Sequence, residues 1–140
     1  MPKRKAKILI VDDAQINRII LCELLRNQYQ ILEAEDGKKA LEMIKEDKSI
    51  DLVLLDIVMP NMDGYEFAKE LRDAECMIPI LMATAKQLPE DKKRGFIVGT
   101  DDYMTKPIDT EEMLLRIKAL LRRSQIASAR KLTIGKVTLD

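Results

Sequence analysis

Residues 52–64 read LVLLDIVMPNMDG. Leu52 to Leu55 form an apolar run of the kind that fills a strand buried on both faces. The run closes on a carboxylate, Asp56, and then on a Met-Pro step and an Asp-Gly pair. Pro60 and Gly64 punctuate the residues after Asp56 as turn signals. A strand that needs a dry core and ends on an acid reads as a central strand whose far end opens to solvent.

The same pattern recurs on both sides of it. KILIV at Lys7–Val11 runs straight into Asp12 and Asp13, and PILMA at 79–83 runs into Thr84. Gln30–Ala34 is a weaker strand, and 102–105 is a short one that precedes Lys106 and Pro107. Between the strands lie helical patterns. Residues 14–27 carry Ile16, Ile19, Ile20 and Leu24 at helical spacing; Gly37–Glu46 carries Ala40, Leu41 and Ile44; 63–73 carries Phe67, Ala68 and Leu71. Residues 89–98 open on a proline suited to a first helical turn and stop at Gly99. Residues 109–123 form a strong helix with Asp109 or Thr110 as its cap. Strand and helix alternate five times. That order predicts an α/β, doubly wound parallel sheet with helices on both faces and right-handed crossovers. Ligands of such folds bind at the carboxyl ends of the strands, which is where Asp56 falls.

Composition narrows the function. Lysine plus arginine equals aspartate plus glutamate, 24 each among 140 residues, so bulk attraction to nucleic acid or an anionic membrane is excluded as the main activity. Hydrophobic residues make up 46%, enough for a packed core and against disorder. No apolar run approaches the roughly 20 residues of a membrane span. The basic start, MPKRKAK, is followed by too short an apolar stretch for a secretory signal, so the expected location is cytoplasmic. Cys22 and Cys76 lack metal-binding spacing and read as reduced thiols. Histidine is absent, which removes imidazole catalysis and imidazole ligation; any metal must be a hard cation bound by oxygen.

The strand ends supply the chemistry. In a parallel sheet Asp12, Asp13, Asp56, Thr84 and Lys106 line up along one edge. Each has an ordinary alternative: Asp12 and Asp13 as helix caps, Asp56 as the opening of a turn, Asp63-Gly64 as a turn pair. Their coincidence at aligned ends is what points to a site. Two carboxylates about 4 Å apart repel by about 4 kcal/mol at an effective dielectric near 20, and a divalent cation relieves this. Magnesium favours few carboxylates, water and a phosphate oxygen. Lys106 offers a point charge to a phosphoryl group, and a carboxylate can itself be the nucleophile toward phosphorus.

ILIVDD, LVLLDIVMPNMDGYE, ILMATA and DDYMTKP, in that order, resemble the receiver domain of two-component response regulators over about residues 6–123. The resemblance implies a flavodoxin-like or CheY-like sheet of order 2-1-3-4-5. It implies that Asp56 is the phosphoacceptor. Asp13 and Asp56, with the backbone carbonyl of Val58, would hold magnesium or manganese, and Asp12 would act through a metal-bound water. Thr84 and Lys106 would contact the phosphoryl group, Tyr103 would be the aromatic switch, and Ala85 the small residue that keeps the phosphoryl group accessible. Val58 and Lys86 would tune hydrolysis. The phosphodonor histidine would belong to a partner sensor kinase. A phosphatase of the aspartyl-phosphate type would want a second acid two residues after the nucleophile, where Val58 stands, so a switch is expected and not an enzyme.

Beyond residue 123 the character changes. SQIASARK, 124–131, reads as a linker. LTIGKVTLD, 132–140, alternates apolar and polar residues around Gly135 like a strand or hairpin with no partner in the main domain, so the chain is expected to end inside a second domain. RKLTIGKVTLD resembles the linker and first strand of the winged-helix, DNA-binding effector of the OmpR/PhoB subfamily. Members of that subfamily dimerise when phosphorylated through the fourth predicted helix, the fifth strand and the fifth predicted helix. Lys92, Asp102, Glu112, Arg116, Lys118 and Arg123 match charged positions of that face, while Ile97 stands where an acid is common. Glu112 and Arg116 also suit an i,i+4 pair within their own helix. INR at 16–18 is similar instead to receivers attached to hybrid kinases, and Thr100 departs from the usual alanine. The alternative reading is a receiver that docks a partner protein without DNA.

Overall fold

A computed structural model of the protein describes residues 5–56, 64–84, 100–105 and 107–139. Five strands form one sheet: β1 (Lys7–Val11), β2 (Gln30–Ala34), β3 (Leu52–Asp56), β4 (Ile80–Thr84) and β5 (Asp102–Thr105). Their order is β2-β1-β3-β4-β5, and every neighbouring pair is parallel. The described helices are α1 (Gln15–Leu25), α2 (Gly37–Glu46), α3 (Gly64–Asp73) and α4 (Thr110–Leu139). The helix expected at 89–98 lies outside the described residues.

Why the strands read as unbroken apolar runs is now plain. Successive strand side chains face opposite sides, and both sides of this sheet are covered. Leu9, Val11, Val53, Leu55, Ile80 and Met82 pack with Ala40 and Ile44 of α2 and Phe67, Ala68 and Leu71 of α3. Ile8, Ile10, Leu52, Leu54, Leu81 and Met104 pack with Leu25 of α1 and Met113, Ile117, Leu120 and Leu121 of α4. Two apolar layers thus sandwich the sheet, the doubly wound arrangement that the alternation predicts.

The helix starts obey capping chemistry. The Asp36 side chain accepts from the Lys39 N–H at 2.8 Å and opens α2. Asp109 accepts from the N–H groups of Glu111 and Glu112 at 2.9 and 3.3 Å, which settles the choice of cap for α4 in favour of Asp109. At the amino edge of the sheet, Lys7 Nζ meets Asp47 at 2.9 Å and Ser49 at 2.7 Å, and the Lys7 N–H donates to Asp51 at 2.7 Å. These bonds lash β1 to the α2–β3 connection, far from the edge that carries the acids.

The helix read at 14–27 is present as α1, with Ile16, Ile19, Ile20 and Leu24 exposed and Leu25 buried. The C-terminal segment departs from expectation. A linker over 124–131 and a strand over 132–140 are expected, but α4 continues through both to Leu139. A lone strand there would leave its backbone N–H and C=O groups without a ladder partner. A helix satisfies them within the segment, and the helix already begun at Thr110 propagates without a new nucleation cost.

Candidate functional site

The strand order reverses between β1 and β3, since β2 lies to one side of β1 and β3, β4 and β5 to the other. That crevice is the usual place for a ligand in an open α/β sheet. Register sets the acids in it. Val11 pairs with Leu55, so the next residues, Asp12 just after β1 and Asp56 at the end of β3, stand at the same level. One carboxylate oxygen each from Asp12, Asp13 and Asp56 lie within 4.8 Å of one another. β3 and β4 each reach one residue further than expected, so Asp56 and Thr84 belong to the strands themselves, and Asp56 pairs with Ala83.

Asp12 is buried, with 3% of its surface exposed. Its N–H donates to Ala34 O at 3.2 Å. Its Oδ1 accepts from the Ala14 N–H at 2.9 Å. Its carbonyl accepts from Arg18 Nη1 at 2.7 Å. The capping alternative for Asp12 is thus partly right: it holds the turn into α1, whose own N-cap, Ala14, has no side-chain cap bond. One such bond leaves a carboxylate with acceptor capacity to spare. Asp13 is exposed and Asp56 half-buried, so the cluster grades from the interior to solvent.

Three carboxylates this close repel one another. Two unit charges about 5 Å apart repel by about 3 kcal/mol at an effective dielectric near 20. The donor set is all oxygen and anionic, open on one side to water. It fits a hard divalent cation that keeps several waters, and magnesium above all. The residues present therefore fit the ion that the sequence implies.

The sequence profile of the response regulator receiver domain matches residues 8–118. This chain belongs to the response regulator receiver family. Among curated relatives, the alkaline phosphatase synthesis regulator PhoP of Bacillus subtilis is 46% identical over 123 residues, 87% of this chain and 51% of its own length. ResD of the same organism is 44% identical over 125 residues, covering 89% and 51%. The heme response regulator HssR of Staphylococcus epidermidis is 38% identical over 133 residues, covering 95% and 58%. The chain therefore spans between half and three fifths of these relatives. Among solved structures, the Vibrio cholerae chemotaxis protein CheY4 aligns with a TM-score of 0.75 at 33% identity, over 83% of this chain and 98% of that one. A Francisella response regulator receiver domain aligns with a TM-score of 0.78 at 30% identity, over 86% and 99%.

The remaining expected residues of the receiver divide between the sheet, α4 and positions outside the described residues. Thr84 ends β4 and pairs in register with Thr105. Tyr103 on β5 pairs with Met82 and is half-buried against the α2–α3 side of the core. Val58, Ala85, Lys86, Lys92, Ile97 and Lys106 lie outside the described residues. Of the charged face, Asp102, Glu112 and Arg116 are brought together within one chain, with Arg116 bonding both acids, while Lys118 and Arg123 are exposed. Arg18 joins the site only in the structure. The INR stretch carries a family resemblance, and nothing in its spacing announces a bond from Arg18 to the Asp12 backbone.

Proposed function

We propose that this receiver takes a phosphoryl group onto Asp56 from a phosphohistidine of a partner kinase and relays the event to an output carried beyond residue 123. The convergence of Asp12, Asp13 and Asp56 at the carboxyl ends of β1 and β3 carries this reading. An Asp56 carboxylate oxygen attacks phosphorus, the bond from phosphorus to the donor imidazole nitrogen breaks, and an acyl phosphate forms. Asp13, Asp56 and the Val58 carbonyl would hold magnesium, and Asp12 would act on it through water; when bound, the ion would neutralise charge on the transferring group. Thr84 and Lys106 then gather to the phosphoryl oxygens, Ala85 leaves it accessible, and Tyr103 turns inward. That is a local electrostatic event biasing a two-state element.

The output we infer is control of transcription. PhoP and ResD bear the name of transcriptional regulatory proteins. The alignment with HssR covers 133 of the 140 residues and so extends past the receiver into the segment whose sequence resembles a linker and the start of a winged helix. Phosphorylation would pair two receivers through the face holding Lys92, Asp102, Glu112, Arg116, Lys118 and Arg123. Catalysis is confined to self-phosphorylation and slow self-hydrolysis. Among the described residues no helix is long and apolar enough to cross a membrane.

One observation favours a protein as the phosphodonor. Ile16, Ile19, Ile20 and Leu24 expose an apolar stripe on α1, which starts two residues after Asp13. Ile20 and Leu24, with Asn17, Leu21, Pro107 and Ile108, line a groove of about 230 Å³ at the same edge of the sheet. An exposed apolar patch beside a site suits docking of a protein surface.

The test is labelling with acetyl phosphate and magnesium. The wild-type chain is expected to incorporate phosphoryl groups and Asp56→Asn to lose them; undiminished labelling of that variant overturns the assignment. Ile20→Glu is expected to slow transfer from a phosphorylated kinase while leaving acetyl phosphate labelling intact.

A further inference from the structure

Arg18 reaches back from α1 to the peptide that comes after Asp12. Its Nη1 donates to the Asp12 carbonyl at 2.7 Å. Its Nε lies 3.4 Å from Glu33 Oε1 on β2. The guanidinium is largely withdrawn from water, with 15% of the side chain exposed, whereas Glu33 keeps 45%. The carbonyl it grips belongs to the planar peptide that joins Asp12 to Asp13. One hydrogen bond therefore fixes the plane from which both carboxylates project. The neighbouring bonds, Asp12 N–H to Ala34 O and Ala14 N–H to Asp12 Oδ1, hold the two sides of that peptide but leave its carbonyl to Arg18.

We propose that Arg18 is a positioning residue for the divalent-cation site: it clamps the Asp12–Asp13 peptide so that both carboxylates stay converged with Asp56, and it thereby raises affinity for magnesium. This rests on the reading of the three acids as the magnesium site. Two effects of Arg18 oppose each other. Its positive charge repels a cation, and its clamp preorganises the ligands. The clamp dominates for two reasons. Glu33 partly neutralises the guanidinium, which weakens the repulsion. Magnesium demands near-ideal octahedral geometry at about 2.0–2.1 Å, so small displacements of its carboxylates are strongly felt. Lysine in this place could reach the carbonyl but has no fork to engage Glu33 at the same time.

The test compares wild type, Arg18→Met and Arg18→Lys by electron paramagnetic resonance titration with manganese, competed by magnesium, alongside metal-free thermal melting. Arg18→Met is expected to bind magnesium about tenfold more weakly, the low end of what loss of an outer-shell partner costs. Arg18→Lys is expected to fall between the two. A folded Arg18→Met with unchanged affinity, or with tighter binding, overturns the clamp; a purely structural arginine would move the melting temperature and not the dissociation constant. Where Arg18→Met fails to melt cooperatively, Arg18→Lys decides, and wild-type affinity in that variant overturns the proposal. Absence of magnesium binding by the wild type overturns the underlying site reading and the clamp with it, a result distinct from loss of the Arg18 effect alone.

Discussion

Arg116 grips Asp102 through both carboxylate oxygens, with Nη1 2.8 Å from Oδ1 and 2.7 Å from Oδ2. Its Nε donates to Glu112 at 3.0 Å, and Asp102 Oδ1 also accepts from the Tyr103 N–H at 2.9 Å. The hydrogen bond to Asp102, and then that to Glu112, hold the guanidinium pKa above its ordinary value. The start of β5 is thus tied to α4, and three residues of the expected dimer face are satisfied inside one chain. The cross-subunit pairing proposed above would draw on groups already bonded within one chain.

The same contacts set the cost of losing the arginine. Its side chain is 37% exposed, so solvent screens the pairs. We expect Arg116→Ala to lose about 1 kcal/mol, the upper end for exposed ion pairs, because two acids are engaged. Urea unfolding at low salt and at about 1 M salt checks this: the loss should shrink at high salt, where the screening length falls to about 3 Å. A loss that ignores salt would assign Arg116 a packing role instead.

Asp47 governs acid stability at the opposite edge. Its carboxyl is held well below the usual carboxylate range, first by the Ser49 hydroxyl, then by Lys7 and by the Ser49 N–H. A folded pKa below the unfolded one stabilises the fold at pH values above the unfolded value of about 3.9. The contribution is lost as pH falls from there toward the folded value. We therefore expect the stability gap between wild type and Asp47→Asn to be constant above about pH 5 and to narrow below about pH 4. Urea midpoints at stepped pH measure it, and a gap that widens on acidification contradicts the Lys7–Asp47–Ser49 network as its source.

The two faces of α1 separate what a sequence can say from what it cannot. Helical spacing is satisfied by Ile16, Ile20 and Leu24, and equally by Leu21 and Leu25. Periodicity establishes the helix but does not choose between two apolar stripes, since that choice depends on what the neighbouring sheet and α4 offer. The structure buries Leu25 completely and leaves Ile20 51% exposed. Leu25→Ala is expected to cost about 2–5 kcal/mol and Ile20→Ala about 0.5 kcal/mol. Chemical denaturation of the two variants side by side checks the ranking, and equal losses would return the Ile16–Leu24 stripe to the core.

The acids are legible for a different reason. Asp12, Asp13 and Asp56 come after runs with one strand reading only, and parallel register then aligns their ends without knowledge of any side chain. Arg18 is not legible, because its bond is to a backbone carbonyl six residues away in sequence, and a backbone partner leaves no trace in residue type. The tail from 124 to 139 reads as linker and strand because alternation suits a strand; helix wins where no ladder partner is offered.

The end of α3 carries a conflict between local preference and fold. The Cys76 N–H donates to Leu71 O at 2.9 Å and the Glu75 N–H to Arg72 O at 3.0 Å, the paired bonds of a Schellman cap. That cap requires a left-handed residue after the helix, and Glu75 has φ 61°. Glycine is the usual occupant, since a side chain there costs about 1–2 kcal/mol. The surroundings enforce the turn: Arg72 donates to the carbonyls of Cys76 and Ile78 at 2.8 and 3.0 Å and to Asp101 at 2.9 Å, and Cys76 packs against the core that contains Leu71. Glu75→Gly removes the steric strain and adds unfolded-state entropy of roughly 0.5–1 kcal/mol. The balance favours the variant, and we expect a gain of about 0.5–1 kcal/mol, read as a higher urea midpoint with unchanged slope. Glu75→Ala keeps a Cβ and should gain nothing, so equal stabilisation by both variants would place the effect in the charge of Glu75 and not in its backbone.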